Sequence, residues 1–388
     1  MNESKFKIVN TNLKGRSLVA NKVIAIDEVI LEEAPFVCSQ FSWNKAYGYL
    51  ACENCMLPLE TAEQNVRRLA FDPSIILPFP ESDPVIHLQQ KFVQCQECSL
   101  KFCSTECLEE AKFKYHSIMC HALKPNQPFD SINEIWKKMH YPPETTSLLL
   151  ILRIFAMVKL QPEYLNVFGE FCDRSKNDDL RICHKILGKK FSEQLSNLHQ
   201  ALIQLFQGEE ILSRFLTVEG FTQLFTMIGT NSQGIGTSPF ANWVRNVSEL
   251  QSLSEKQSKE LDEFIDTVYA TFDNTVGTFL NNEGSGLYVT QSKINHSCKP
   301  NAEIRFPFSN SKLQVVALRE IKPDEEICIS YLDECQLDRS RYSRQKYLQE
   351  NYLFLCDCEK CQEEVSQADE TSDDDVNDGD DNMDTDDD

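Results

Sequence analysis

Three shortages bound what this 388-residue chain can be. Long apolar runs are the first. The most apolar stretch, Leu148 to Val158, is interrupted by Arg153 and falls well short of the roughly 20 residues that a membrane-spanning helix needs, so no membrane segment is expected. The opening MNESKFKIVN lacks the apolar core of a secretory signal, which predicts a soluble intracellular protein. Basic residues are scarce too, with 38 Lys and Arg against 60 Asp and Glu and a formal charge of -22. Phosphate backbones are bound by clustered cations, so direct nucleic-acid binding is not expected and basic proteins are the better-suited partners.

Cysteine, by contrast, is plentiful, at 16 residues. Without an export signal, and with most thiols in short-spaced pairs, zinc thiolates are favoured over disulfides. Cys52-x2-Cys55 is followed, after a long interval, by Cys95-x2-Cys98-x4-Cys103-x3-Cys107-x8-His116-x3-Cys120. Ligands arranged in pairs like these suit two tetrahedral zinc sites, and their number argues against separate redox motifs. His121 competes with His116, but the His-x3-Cys spacing favours His116. Near the other end Cys356-x-Cys358-x2-Cys361 is one ligand short of a tetrahedron, and Cys298 can supply the fourth. Cys38, Cys172, Cys183, Cys328 and Cys335 are left as free thiols.

Apolar alternation predicts short strands over Ser17 to Val23, Val29 to Phe36 and Ala302 to Phe306, with turns at Lys14-Gly15-Arg16 and Asp27-Glu28. Two more lie within Leu313 to Leu332, parted by a Lys-Pro-Asp turn. The prolines at 73, 78, 80 and 84 mark the interval 56–94 as an irregular loop. From Asn126 to Met227 the apolar spacing turns helical, and Leu250 to Leu280 reads as one more helix. His184, His199 and Cys172 fall in this region without partners at ligand spacing and read as structural. Gly229 to Gly236 is polar and glycine-rich but lacks the Lys-Ser/Thr ending of a phosphate-binding loop. Asn295-His296-Ser297-Cys298 is unusual, since four successive polar side chains, if buried, must each find a specific partner.

Asn295 to Pro300, the Glu325-Glu326-Ile327 to Ser330-Tyr331 segment and the terminal Cys-x-Cys-x2-Cys resemble a SET-domain protein lysine methyltransferase. The paired-ligand array resembles a MYND finger, and with the helical insertion the whole order of residues 1–361 resembles the SMYD family. That resemblance implies an α+β fold: a SET-domain β-fold (1–50 and 229–334) split by a MYND zinc finger (51–121) and a helical insertion (122–228), then a post-SET zinc cluster (335–361). The chain departs from the family in its long 56–94 interval. It also ends in an acidic tail, 362–388, where most members continue into a helical repeat domain. The tail's composition predicts disorder and a capacity to concentrate basic substrates.

The resemblance further implies three zinc ions, with interleaved pairing in the finger: Cys52, Cys55, Cys103 and Cys107 on one metal, Cys95, Cys98, His116 and Cys120 on another. Cys298, Cys356, Cys358 and Cys361 hold the third. It implies S-adenosylmethionine as methyl donor, with Lys14, Gly15 and Arg16 at its methionine end. Asn231, Ser292, Asn295 and His296 support it, and Tyr352 and Phe354 stack on the adenine and close a lysine channel. Tyr331 is the implied catalytic residue. The activity implied is lysine N-methylation of histone tails or other lysine-containing proteins, such as ribosomal proteins, by a monomer in cytoplasm and nucleus. The rival expectation is a silent adaptor that recruits partners through the finger.

Overall fold

The computed structural model describes residues 4–366 apart from 12–13, 46, 123–131, 133, 135–147, 172–187, 207 and 278–279. Cys172, Cys183, His184 and the tail from 367 onward lie outside the described residues.

The described strands are β1 (Phe6–Thr11), β2 (Gly15–Ala20), β3 (Val29–Glu33), β4 (Val37–Gln40), β5 (Val93–Gln94), β6 (Lys101–Phe102), β7 (Gln233–Thr237), β8 (Asn282–Leu287), β9 (Asn295–His296), β10 (Ala302–Arg305), β11 (Leu313–Ala317) and β12 (Glu326–Ile329). They form small sheets in the orders β1-β2-β12-β9, β10-β11-β3 and β4-β8-β7, with β5-β6 as a separate hairpin. Gly15 opens β2 at φ 70°, a left-handed conformation that a residue without Cβ adopts freely. Asp27 and Asp324 take similar angles at two further turns, where a short polar side chain tolerates them.

β11 and β12 follow one another in sequence yet join different sheets. After the Lys322-Pro323-Asp324 turn the chain leaves β11 and inserts β12 between β2 and β9, antiparallel to the first and parallel to the second. Leu18, Ile24, Ile294, Val315, Ile321 and Ile327, all fully buried, form the core beneath these strands.

The apolar stretch becomes the helix Leu148–Leu160, in which ten residues are buried. Its near-uniform apolarity matches a helix covered on all sides. It packs against the zinc finger and the helix Val218–Asn231. Arg153, 1% exposed, is its one buried charge. The guanidinium donates to the Cys38 carbonyl on β4, and to both the backbone carbonyl and the carboxylate of Glu53 in the finger. It also lies 4.4 Å from the centre of the Tyr115 ring. One side chain thus joins strand, finger and helix.

One expectation is corrected. The interval 56–94 is not an irregular loop, because it carries the helix Ala62–Leu69, started by a capping box between Thr61 and Gln64. Val66 and Leu69 pack in a third core with Trp43, Trp243 and Phe272, and the Asp83 carboxylate accepts N–H groups of Ala62 (2.6 Å) and Val85 (2.9 Å). The Trp243 indole donates to the Phe79 carbonyl at 3.2 Å. The stretch therefore leaves the finger to brace the helices Pro239–Ser248 and Glu255–Thr275. Gly229 to Gly236 divides between the helix, which runs to Asn231, and β7, which begins at Gln233. His199 is structural as expected: Nε2 lies 2.7 Å from the Leu216 carbonyl and the ring stacks on Phe221. Among the described residues no helix is long and apolar enough to cross a membrane.

Candidate active site

The placement of β12 brings Asn295 opposite Cys328 and His296 opposite Ile329. The Asn295 amide nitrogen lies 2.8 Å from Ser17 Oγ, 2.9 Å from Glu326 Oε1 and 3.2 Å from the Arg16 carbonyl. Its donors are therefore spent on strands β2 and β12, which locks the side chain in orientation. Glu326 also accepts from Lys14 Nζ at 3.1 Å. Burial works to raise its pKa, but the bonds from Asn295, Lys14 and Ser17 outweigh that and hold the carboxyl below its ordinary value. Burial opposes the charge on Lys14 in the same way, and the bond to Glu326 wins there too, leaving its pKa raised. Asn301, 3% exposed, closes the far side: Oδ1 accepts the Cys328 N–H at 2.8 Å and Nδ2 donates to the Glu326 carbonyl at 2.8 Å.

Tyr331 follows the end of β12. Its hydroxyl donates to the Ile294 carbonyl at 2.7 Å and its backbone N–H donates to His296 Nδ1 at 2.9 Å. The ring centre lies 4.8 Å from Tyr352, 5.4 Å from His296 and 6.2 Å from Phe354, the last edge-on. His296 is buried, and desolvation pulls its pKa down to about 4, so the ring is neutral near pH 7.

Two clefts meet at this tyrosine. One, of about 280 Å³, is lined by Lys14, Gly15, Arg16, Asn231, Ser292, Asn295, Tyr331, Tyr352 and Phe354. Every residue the sequence assigned to the methyl donor is there except His296. The other, of about 320 Å³, shares Asn231, Ser292, Tyr331 and Tyr352 and adds Gln233, Gln291, Asp333 and Tyr347. Both volumes are near the lower end of the roughly 300–1,000 Å³ usual for ligand clefts. The first cleft offers cations for a carboxylate, amide and hydroxyl groups, and aromatic faces, a donor set that fits S-adenosylmethionine. Glu170 stands beside it, 3.6 Å from Arg16 and 2.9 Å from Lys293.

The metal-binding expectation is met in its pairing. Ligand atoms of Cys52, Cys55, Cys103 and Cys107 lie within 4.8 Å of one another, as do those of Cys95, Cys98, His116 and Cys120, and those of Cys298, Cys356, Cys358 and Cys361. These thiol-rich quartets fit tetrahedral zinc, which would supply closed structural ties. His116 is 1% exposed with Nδ1 unpartnered, and Nε2 lies 3.5 Å from Cys98 Sγ. Burial lowers its pKa to about 4, leaving a neutral ring with a lone pair for metal. The side chain of His121 is outside the described residues.

Sequence reading gave no role to Arg344, Asn301, Ser17 or the Glu326 side chain. Arg344, 1% exposed, donates from Nε to Cys298 Sγ at 3.4 Å and from Nη2 to Cys361 Sγ at 3.7 Å, and pairs with Glu364 at 2.7 Å. Only the sequential Glu325-Glu326 on a strand hinted at any of these.

The SET-domain family model matches residues 15–332. Protein-lysine N-trimethyltransferase SMYD5 of Danio rerio is 43% identical over 355 residues, covering 90% of this chain and 85% of the relative. The proteins of the same name from Mus musculus and Homo sapiens are 44% and 42% identical, each over 90% of this chain and 84% of the relative. With the family model spanning most of the chain and relatives above 40% identical over 90% of it, the chain belongs to the SET-domain family, in its SMYD branch.

Proposed function

We propose that the protein transfers methyl groups from S-adenosylmethionine to the side-chain amine of a lysine in a protein substrate, with the donor in the 280 Å³ cleft and the lysine entering by the 320 Å³ cleft. The observation that carries this is the convergence of the two clefts on Tyr331. When bound, the donor supplies an electrophilic methyl on a sulfonium. The lysine amine forms its N–C bond as the C–S bond breaks, so holding the reactants in line is the main demand.

The chain's own groups meet that demand. Lys14 and Arg16 are the cleft's cations for the donor carboxylate, and Asn295 presents a locked polar edge. Asn231 and Ser292 line both clefts, and Tyr352 and Phe354 provide flat faces. The Tyr331 hydroxyl, anchored on the Ile294 carbonyl, keeps its lone pairs for polarised methyl hydrogens. Clustered aromatic rings disfavour an ammonium's hydration and help deliver the amine neutral.

Net charge of -22 supports basic substrates, histone tails and other lysine-rich proteins such as ribosomal proteins among them, with no direct nucleic-acid contact. A monomer working in cytoplasm and nucleus is the matching organisation. Trimethylation is the product that the relatives' name states, and it is the end point proposed here.

The test is transfer of labelled methyl onto a mixture of histones and ribosomal proteins, with product state read by intact mass. Tyr331→Phe should lower kcat by about 100-fold or more and leave donor affinity within a few-fold. A wild-type protein that binds the donor and labels no substrate would favour the adaptor reading instead.

A further inference from the structure

His296 is the residue assigned to the donor that the donor cleft does not include. Its ring is 6% exposed, and both nitrogens have partners. A backbone N–H can only donate, so the 2.9 Å bond from Tyr331 requires a lone pair on Nδ1. The ring proton of the neutral imidazole is then on Nε2, which lies 3.3 Å from Cys298 Sγ and donates to it. The same sulfur receives Arg344 Nε–H at 3.4 Å, so two N–H donors converge on it, an arrangement that suits the thiolate a zinc ligand must be.

We infer that His296 is a positioning residue whose imidazole ties the backbone of Tyr331 to the Cys298 thiolate of the terminal zinc quartet, so that the metal centre holds the reacting-site tyrosine through one ring. The inference rests on the reading of Tyr331 as the methyl-transfer residue. β12 ends at Ile329, and its ladder with β9 is extended only by the Ser297 N–H on the Ile329 carbonyl at 3.0 Å. No ladder acceptor therefore remains for the Tyr331 N–H. His296 supplies it, so the Tyr331 N–H is not left without an acceptor. Its hydroxyl on the Ile294 carbonyl and its carbonyl 3.4 Å from the Tyr352 hydroxyl hold Tyr331 as well. The His296 bond links it through one ring to a sulfur of the terminal quartet.

The two bonds can be separated chemically. The Asn carboxamide oxygen reaches about where Nδ1 sits, and the longer Gln carboxamide nitrogen about where Nε2 sits. His296→Asn therefore keeps the acceptor for Tyr331 and gives up the donor to sulfur, while His296→Gln does the reverse and His296→Leu loses both. Each is made in the full-length zinc-loaded protein and read four ways: zinc content by elemental analysis, zinc release to a chelator, donor affinity by calorimetry, and kcat. His296→Leu is expected to bind donor within about threefold of wild type, lower kcat by about 100-fold and release one zinc about tenfold faster. His296→Asn should recover most of kcat with fast release, and His296→Gln should recover slow release with low kcat.

Long-range ¹⁵N-¹H correlation spectra of the wild type are expected to show His296 protonated at Nε2 alone. That measurement stands if every variant misfolds. The Nδ1-protonated tautomer overturns the inference, as does a side chain that holds the donor directly, seen as more than tenfold weaker donor binding in all three variants. Equal kcat and zinc release in all four proteins overturns it as well. A wild type inactive on every substrate would sink the methyltransferase reading alone, since the tautomer and zinc-release results test the tie without turnover.

Discussion

The finger and the terminal segment use the same ligand chemistry for different ends. In the finger, sulfurs face one another and a shared core; Cys103 Sγ lies 3.4 Å from Cys107 Sγ, and Cys52 and Cys95 pack among the residues around the helix Leu148–Leu160. In the terminal quartet, the ring of His296 and the guanidinium of Arg344 donate to the same sulfur of Cys298, and its neighbours in the core include Tyr331, Tyr352 and Phe354. One kind of centre holds the fold, and the other adjoins the chemistry. What surrounds a thiolate, more than the thiolate itself, decides which role it has.

The largest effect expected from that contrast is on turnover. Cys361→Ser should lower bound zinc from three to two and cut methyl transfer by about 100-fold or more, because the wall formed by Tyr352 and Phe354 loses its tie. Cys103→Ser should also leave two zinc ions, yet keep transfer within about tenfold at a temperature where the protein is folded. Its penalty should appear as a lower Tm. Equal loss of turnover in both would erase the distinction.

Arg153→Met sharpens it next. Removing the guanidinium takes the charged partner from the Glu53 carboxylate and a donor from the Cys38 and Glu53 carbonyls, a change of the kind that costs about 3–5 kcal/mol. Denaturant titration should show that loss while calorimetry finds donor affinity unchanged, since Arg153 is remote from both clefts. A smaller loss is expected in the corrected interval 56–94: Thr61→Ala removes the cap of Ala62–Leu69 and should cost about 1 kcal/mol, with no change in zinc content.

The smallest effect is one of pH. Glu326 titrates below its ordinary value in the folded chain, so the unfolded chain takes up its proton first as the medium is acidified. Its contribution is complete above the unfolded pKa of about 4.5 and fades as pH falls through the folded value. Melting curves from pH 6 to 3 should therefore be shallower for Glu326→Gln than for wild type at the acid end. Identical slopes would mean that Asn295 and Lys14 do not depend on that charge.

How much could be read beforehand follows from how far each partner lies along the chain. Ligand pairs such as Cys52 with Cys55, and the polar run Asn295 to Cys298, announce themselves within a few residues, and the residues assigned to the donor other than His296 line one cleft. The turn at Gly15 was equally local. Arg344 was not legible because its reason for being, two sulfurs at 298 and 361, is visible only after folding. Asn301 and Ser17 are silent for the same reason. The helix Ala62–Leu69 was obscured by the prolines that follow it, and its apolar face makes sense only against Trp243 and Phe272, some 170 to 200 positions later. His296 was found by its motif, but its ring contacts with Tyr331 and Cys298 were not legible, because a motif names a residue without saying which way its ring turns.

The insertion of β12 between β2 and β9 has a temporal consequence. During synthesis the finger and its supporting helices can mature while the ribosome is still reading, but β2 must wait more than three hundred codons for the strand beside it. A nascent or prematurely stopped chain would carry the finger and lack the strand that brings Asn295 and Tyr331 together.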